Sequence, residues 1–62
     1  MVIYDRRKGF NILLLPNAFF VVLSPSDRKY SVEYKGLLEA WKAIDDNSIV
    51  WAGQLEDSQE IL

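Results

Sequence analysis

The 62-residue chain contains no cysteine and no histidine. Without cysteine it has no disulfide framework and no thiol nucleophile, and without histidine it has no imidazole base; the usual zinc ligand sets go with both. Glycine and proline are scarce, at three and two. Gly9, Gly36 and Gly53 each stand alone, so no phosphate-cradling loop or dinucleotide fingerprint can be assembled from them. Nor is there a run of about 20 apolar residues, the length that a membrane-spanning helix needs. Acid–base chemistry is left to carboxylates, lysines and tyrosines. The two adjacent carboxylate pairs, Asp45-Asp46 and Glu56-Asp57, would project about 100° apart on a helix and do not converge on one substrate atom. The expectation is a chain that is not an enzyme and needs no metal or cofactor.

What is present fits a folded domain. Half of the residues are apolar, 13% are aromatic and 26% are charged, a balance that buries a core and argues against wholesale disorder. The length allows one domain, residues 1–62, and a chain of this size buries only about 60% of its unfolded surface. The formal net charge is −2, so composition points to neither nucleic acid nor anionic membrane. The charge is nevertheless segregated. All seven bases (Arg6, Arg7, Lys8, Arg28, Lys29, Lys35, Lys42) precede position 43, and the last twenty residues hold five acids and no base. Either the two halves complement each other internally, or the acidic end, with Asp45, Asp46, Glu56 and Asp57, is offered to a basic partner. Arg6-Arg7-Lys8 followed by the apolar Phe10–Leu23 imitates a secretory signal, but Asn11, Pro16 and Asn17 interrupt that run. The stretch is therefore read as folded structure in a soluble, cytoplasmic protein.

Residue types and periods predict the order β-β-β-β-α-β, an α+β fold in which one helix packs on one face of a small antiparallel sheet. Val2-Ile3-Tyr4 opens a strand, and Arg7-Lys8-Gly9 turns it. Phe10–Leu15 and Ala18–Leu23 form a hairpin about Pro16-Asn17, and Ser24-Pro25-Ser26-Asp27 is the next turn. Alternation over Tyr30–Tyr34 predicts a half-exposed strand with Tyr30, Val32 and Tyr34 on one face and Ser31 and Glu33 on the other. Leu37, Leu38, Trp41 and Ile44 recur at helical spacing, so a helix is expected from about Gly36 to Asp46, closed by Asn47-Ser48. Ile49-Val50-Trp51 is the last strand, ending at Ala52-Gly53. Residues 54–62 are an acidic tail, read as a loose turn or a frayed end.

The central hairpin carries the functional argument. Ile12–Leu15 and Phe19–Leu23 are apolar at consecutive positions and hence on both faces, while a single helix covers only one. The other face must be covered by the tail, by a second copy, or by a protein partner. Trp41 belongs to the helix stripe and is assigned to the core. Trp51 and Val50 lie on opposite faces of their strand, so one of them looks outward, and tryptophan is a favoured interface anchor. The reading that follows is a small protein-binding modulator or inhibitor whose partner is a protein target or a second copy in a homodimer, using Phe19, Phe20 and Trp51 with Asp45, Asp46, Glu56 and Asp57.

A different reading rests on the basic cluster Arg6-Arg7-Lys8 beside Tyr4 and Phe10, since guanidinium groups reach phosphates and aromatic rings stack on bases. The opening Met1, Ile3, Arg6, Arg7, Gly9, Leu13 resembles the start of the carbon storage regulator family, small interlocked β dimers that bind RNA hairpins and repress translation. That resemblance implies a dimeric RNA-binding regulator in which Arg6 contacts RNA, with Tyr4, Arg7 and Lys8 beside it. It covers about 14 residues; downstream the chain has an added helix and an acidic end where the family has a later basic stretch. Lys35-Gly36-Leu37-Leu38-Glu39-Ala40 to Ile44 is similar in outline to compact phage-encoded modulators, which agrees with the first reading.

Overall fold

The computed structural model describes residues 2–54. Within them the chain forms β1 (Val2–Arg7), β2 (Phe10–Leu14), β3 (Phe20–Leu23), β4 (Lys29–Ser31), α1 (Leu37–Asp45) and β5 (Trp51–Gln54). The five strands make one antiparallel sheet in the order of the sequence, with α1 inserted before the last strand. This is the small α+β architecture that the periodicities predict. Residues 55–62, and with them Glu56, Asp57 and nearly all of the predicted tail, lie outside the described residues.

The turns explain the register. Arg7 pairs with Phe10, so β1 and β2 are joined by two residues, Lys8 (φ 53°) and Gly9 (φ 85°). Two successive positive φ values define the tight turn whose twist matches that of its strands. The β2–β3 connection differs from the expectation. Ala18 is not in the strand but in the left-handed region at φ 71°, its N–H donating to the Leu15 carbonyl at 2.9 Å while the Leu15 N–H donates to that of Phe19 at 2.8 Å. Such a three-residue loop normally holds glycine at this position. After α1, Asn47 (φ 55°) ends the helix as predicted. Its N–H reaches the Ile44 carbonyl at 3.1 Å and that of Ser48 reaches Ala43 at 2.8 Å, which satisfies carbonyls that a helix end otherwise leaves free.

The core lies between α1 and one face of the sheet. Ile12, Val22, Ala40 and Ile44 are buried together, with Phe10, Phe20, Tyr34, Leu37, Trp41 and Ile49 packed around them. The expected helix stripe needs one correction: Leu38 is 73% exposed. Leu37, Ala40, Trp41 and Ile44 form the i, i+3, i+4, i+7 stripe, and at 100° per residue Leu38 falls well to one side of it. The small Ala40 and Ala43 are buried on the other flank and let the helix approach the sheet.

Strand β4 also departs from expectation. It is three residues long, its pairing with β5 slips between Tyr30 and Ser31, and Tyr34 returns to the sheet only as a bridge to Phe20. Ser31, predicted on the wet face, is buried. Its hydroxyl accepts from the Val22 N–H at 2.8 Å and donates to the Val32 carbonyl at 2.8 Å, standing in for a ladder bond where the register breaks. The last strand starts two residues later than predicted. At Gly53 a Cβ would overlap the end of the Tyr30 phenol, so a larger residue there would have to push that ring aside.

The left-handed Ala18 yields a test. Ala18→Gly relieves the Cβ–carbonyl crowding at the cost of some unfolded-state entropy and should raise stability by about 0.5–1 kcal/mol, read from the urea midpoint. A loss of similar size would show that the loop conformation is otherwise.

Candidate interaction surface

The antiparallel register sorts the side chains of β1 onto two sides. Arg7 pairs with Phe10 and Asp5 with Ile12, both on the face that α1 covers, whereas Arg6 pairs with Asn11 and Ile3 with Leu13 on the opposite face. The register slips between Ile3 and Asp5, leaving Tyr4 as the extra residue of a bulge. A bulge inserts one residue and redirects its side chain. Tyr4 accordingly meets Phe20 edge-on, with ring centroids 5.3 Å apart and planes at 64°.

Along α1 the flank bearing Trp41 and Asp45 lies against β1. Trp41 Nε1–H donates to Asp5 Oδ2 at 2.9 Å. The Arg7 guanidinium stands 5.1 Å from the Trp41 ring centroid, and its Nε and Nη2 donate to the two oxygens of Asp45 at 2.9 and 2.8 Å. Lys8 Nζ is 3.4 Å from the same carboxylate. Trp41, assigned to the core from its spacing, is thus half-buried and carries a polar bond as well as packing.

This seam answers a question the sequence poses. Asp45 sits in the last turn of α1, where a negative charge opposes the helix dipole. Two cations from the β1–β2 turn neutralise it. The hydrogen bond from Arg7 holds the Asp45 carboxyl below its ordinary range against a smaller opposing desolvation, and the charges of Arg7 and Lys8 add to the lowering. Reciprocally, that bond to Asp45 raises the Arg7 guanidinium.

A second polar chain crosses the opposite face. Arg6 Nε–H donates to Asn11 Oδ1 at 2.9 Å, and Asn11 Nδ2–H donates to Asp27 Oδ1 at 3.0 Å. Asn11 is buried in mid-strand, and Asp27 (φ 62°) is held in the β3–β4 turn. On this face Leu13 and Val21 are buried, although α1 lies on the other side. The pattern rightly shows apolar residues on both faces of the hairpin. At Leu13 and Val21 it does not leave an open patch.

The predicted partner-binding residues separate accordingly. Phe20 is half-buried against the core and Phe19 half-buried at the turn, its N–H bonded to Asn17 Oδ1 at 3.1 Å. Trp51 is half-buried, stacked on Phe10 at 6.4 Å with Lys29 Nζ 6.0 Å from its ring. It is Val50 that looks outward, at 57% exposure. Asp45 turns inward to Arg7, while Asp46 is exposed at the helix end. Of the predicted RNA-contacting residues, Arg7 and Lys8 face Asp45 and Arg6 is bonded to Asn11. Tyr4 is 53% exposed.

Ile3, also exposed at 58%, precedes Tyr4 on β1. Leu38 stands on the flank of α1 that faces β1, one turn before Trp41. Sequence reasoning missed Ile3, and it placed Leu38 in the core. The signal for Leu38 was present, since two alanines at Ala40 and Ala43 shift the centre of the apolar stripe away from it.

Comparison of the chain with known proteins gave no match to a family model, to a curated protein or to a solved structure. The resemblance of the first residues to the carbon storage regulator family is confined to the positions that carry it. Among the described residues, no helix is long and apolar enough to cross a membrane.

Two outcomes test the seam. Trp41→Phe keeps the ring and removes the donor to Asp5, and should cost about 1–2 kcal/mol in a denaturant titration; an unchanged midpoint would mean that the bond contributes nothing. Asp45 has a lowered folded pKa, so its contribution is complete above its ordinary value of about 3.9 and is lost as pH falls through the lower, folded value. Wild type should therefore exceed Asp45→Asn in stability at neutral pH and converge on it below pH of about 4. A constant gap across that range would contradict the pairing.

Proposed function

We propose that the chain is a small non-enzymatic modulator that binds a protein partner through the outer side of the β1–α1 seam. The observation that supports this reading is the exposure of Tyr4 and Leu38 on an edge strand and the helix beside it, with Ile3 exposed on the opposite face of the same strand. Edge strands are ordinarily blunted by charge, and the second half of β1 obeys that rule with Asp5, Arg6 and Arg7. Its first half presents two large apolar side chains. Tyr4 is held edge-on by Phe20, so it meets a partner with little rotamer freedom left to lose, as interface anchors do.

The disposition of the charges favours this reading over RNA binding. A phosphate approaching Arg7 or Lys8 would compete with the Asp45 carboxylate already bonded there. Asp46, exposed at the helix end, is the described carboxylate left for a basic patch on the partner.

The test is a pull-down from the native host with wild type and a Tyr4→Ser, Leu38→Ser double variant, the bound material being divided into protein and nucleic acid. Both side chains are largely exposed, so circular dichroism should show the fold intact. A protein retained by wild type should be weakened at least tenfold in the variant, equivalent to about 1.4 kcal/mol. Retention of nucleic acid that falls steeply with salt would favour the RNA-binding alternative. A protein retained equally by both would move the site elsewhere.

A further inference from the structure

The β1–β2 and β3–β4 turns lie at one end of the sheet and, with the strand ends beside them, hold five of the seven bases, Arg6, Arg7, Lys8, Arg28 and Lys29. The Asn11–Asp27 bond draws the turn after β3 toward Arg6 on β1, and Pro25 lies within contact distance of a Cβ built at Gly9. Arg6, Lys8, Arg28 and Lys29 are exposed there. The same end is where β5 finishes, because Gln54 pairs with Lys29. Beyond Gln54 the sequence continues Leu55-Glu56-Asp57-Ser58-Gln59-Glu60-Ile61-Leu62, with three acids and no base.

Connectivity alone brings these opposite charges together. Consecutive Cα atoms are about 3.8 Å apart, so those of Glu56 and Asp57 are tethered within about 8 and 11 Å of that of Gln54. The Debye length at physiological salt is about 8 Å. A tethered acid is also present at an effective concentration in the millimolar range, which an outside anion seldom matches. We propose that the basic end formed by Arg6, Arg28 and Lys29 is the docking surface for the chain's own acids Glu56, Asp57 and Glu60. On this account the sequence's segregation of charge is internal complementarity, and an anionic partner at this end must displace the tethered carboxylates. The inference concerns a different surface from the β1–α1 seam and stands or falls independently of it.

The test uses the full chain labelled for nuclear magnetic resonance, compared with a Glu56→Gln, Asp57→Asn, Glu60→Gln variant at low and high salt. At low salt the replacements should move the signals of Arg6, Arg28 and Lys29, and the differences should disappear in 1 M salt, where the Debye length is about 3 Å. In wild type, Glu56 and Asp57 should titrate below their ordinary values, and Lys29→Gln should bring them back up. Shifts confined to residues 54–62, or carboxylates indifferent to both salt and Lys29→Gln, would overturn the proposal.

Discussion

The bidentate pairing of Arg7 with Asp45 is the contact on which the arrangement of helix and hairpin depends. It joins residues 38 positions apart, and it does so from a turn whose geometry is set locally by Lys8 and Gly9. The turn aims the guanidinium at the helix end, and the helix end supplies the carboxylate that its own dipole disfavours. Each partner removes a cost that the other element carries alone. Asp5 and Trp41 extend the contact by one helical turn, so α1 is held along its flank as well as pressed on the sheet by Ala40 and Ile44. Exposed ion pairs contribute little by themselves; here the pair fixes where the helix lies, and the apolar stripe does the rest.

That placement decides which apolar residues remain outside. With Trp41 and Asp45 against β1, the 100° step of the helix leaves Leu38 outward on the same flank, and the bulge in β1 turns Tyr4 toward Phe20 with much of its ring still in water. On the opposite face, Arg6, Asn11 and Asp27 form a polar chain across positions that strand alternation alone would give to apolar residues. Among the described residues no buried side-chain polar atom lacks a hydrogen-bond partner. Buried polar groups in so small a core are tolerable only on that condition.

The fold was largely legible in the sequence because its signals are local. The change from a period of two to a period near four at Gly36, the glycine after Arg7-Lys8, and Asn47 behind the helix each act within a few residues. What was not legible depends on distant partners. Ser31 was assigned to the wet face by alternation, but the slip in register against β5 turned it inward to serve Val22. Ala18 took the strained loop position because closing Leu15 onto Phe19 required it. Trp41 was assigned to the core by spacing, and only the approach of Asp5 shows why tryptophan, with its N–H, stands there. Asp45, expected to meet a basic partner, is instead paired with Arg7 and Lys8 of the same chain.

Helix, hairpin and seam form one cooperative unit from which the apolar side chains of β1 and α1 project. Hydrogen exchange measured residue by residue tests this most directly, since amides that open together exchange with one common free energy. The amides of Ala40–Ile44 in α1 should share the protection of Ile12 and Val22 in the central strands, and Arg7→Gln should lower both sets together. Helix amides that exchange far faster than those of β2 and β3 would show that α1 detaches on its own and that the seam does not hold it.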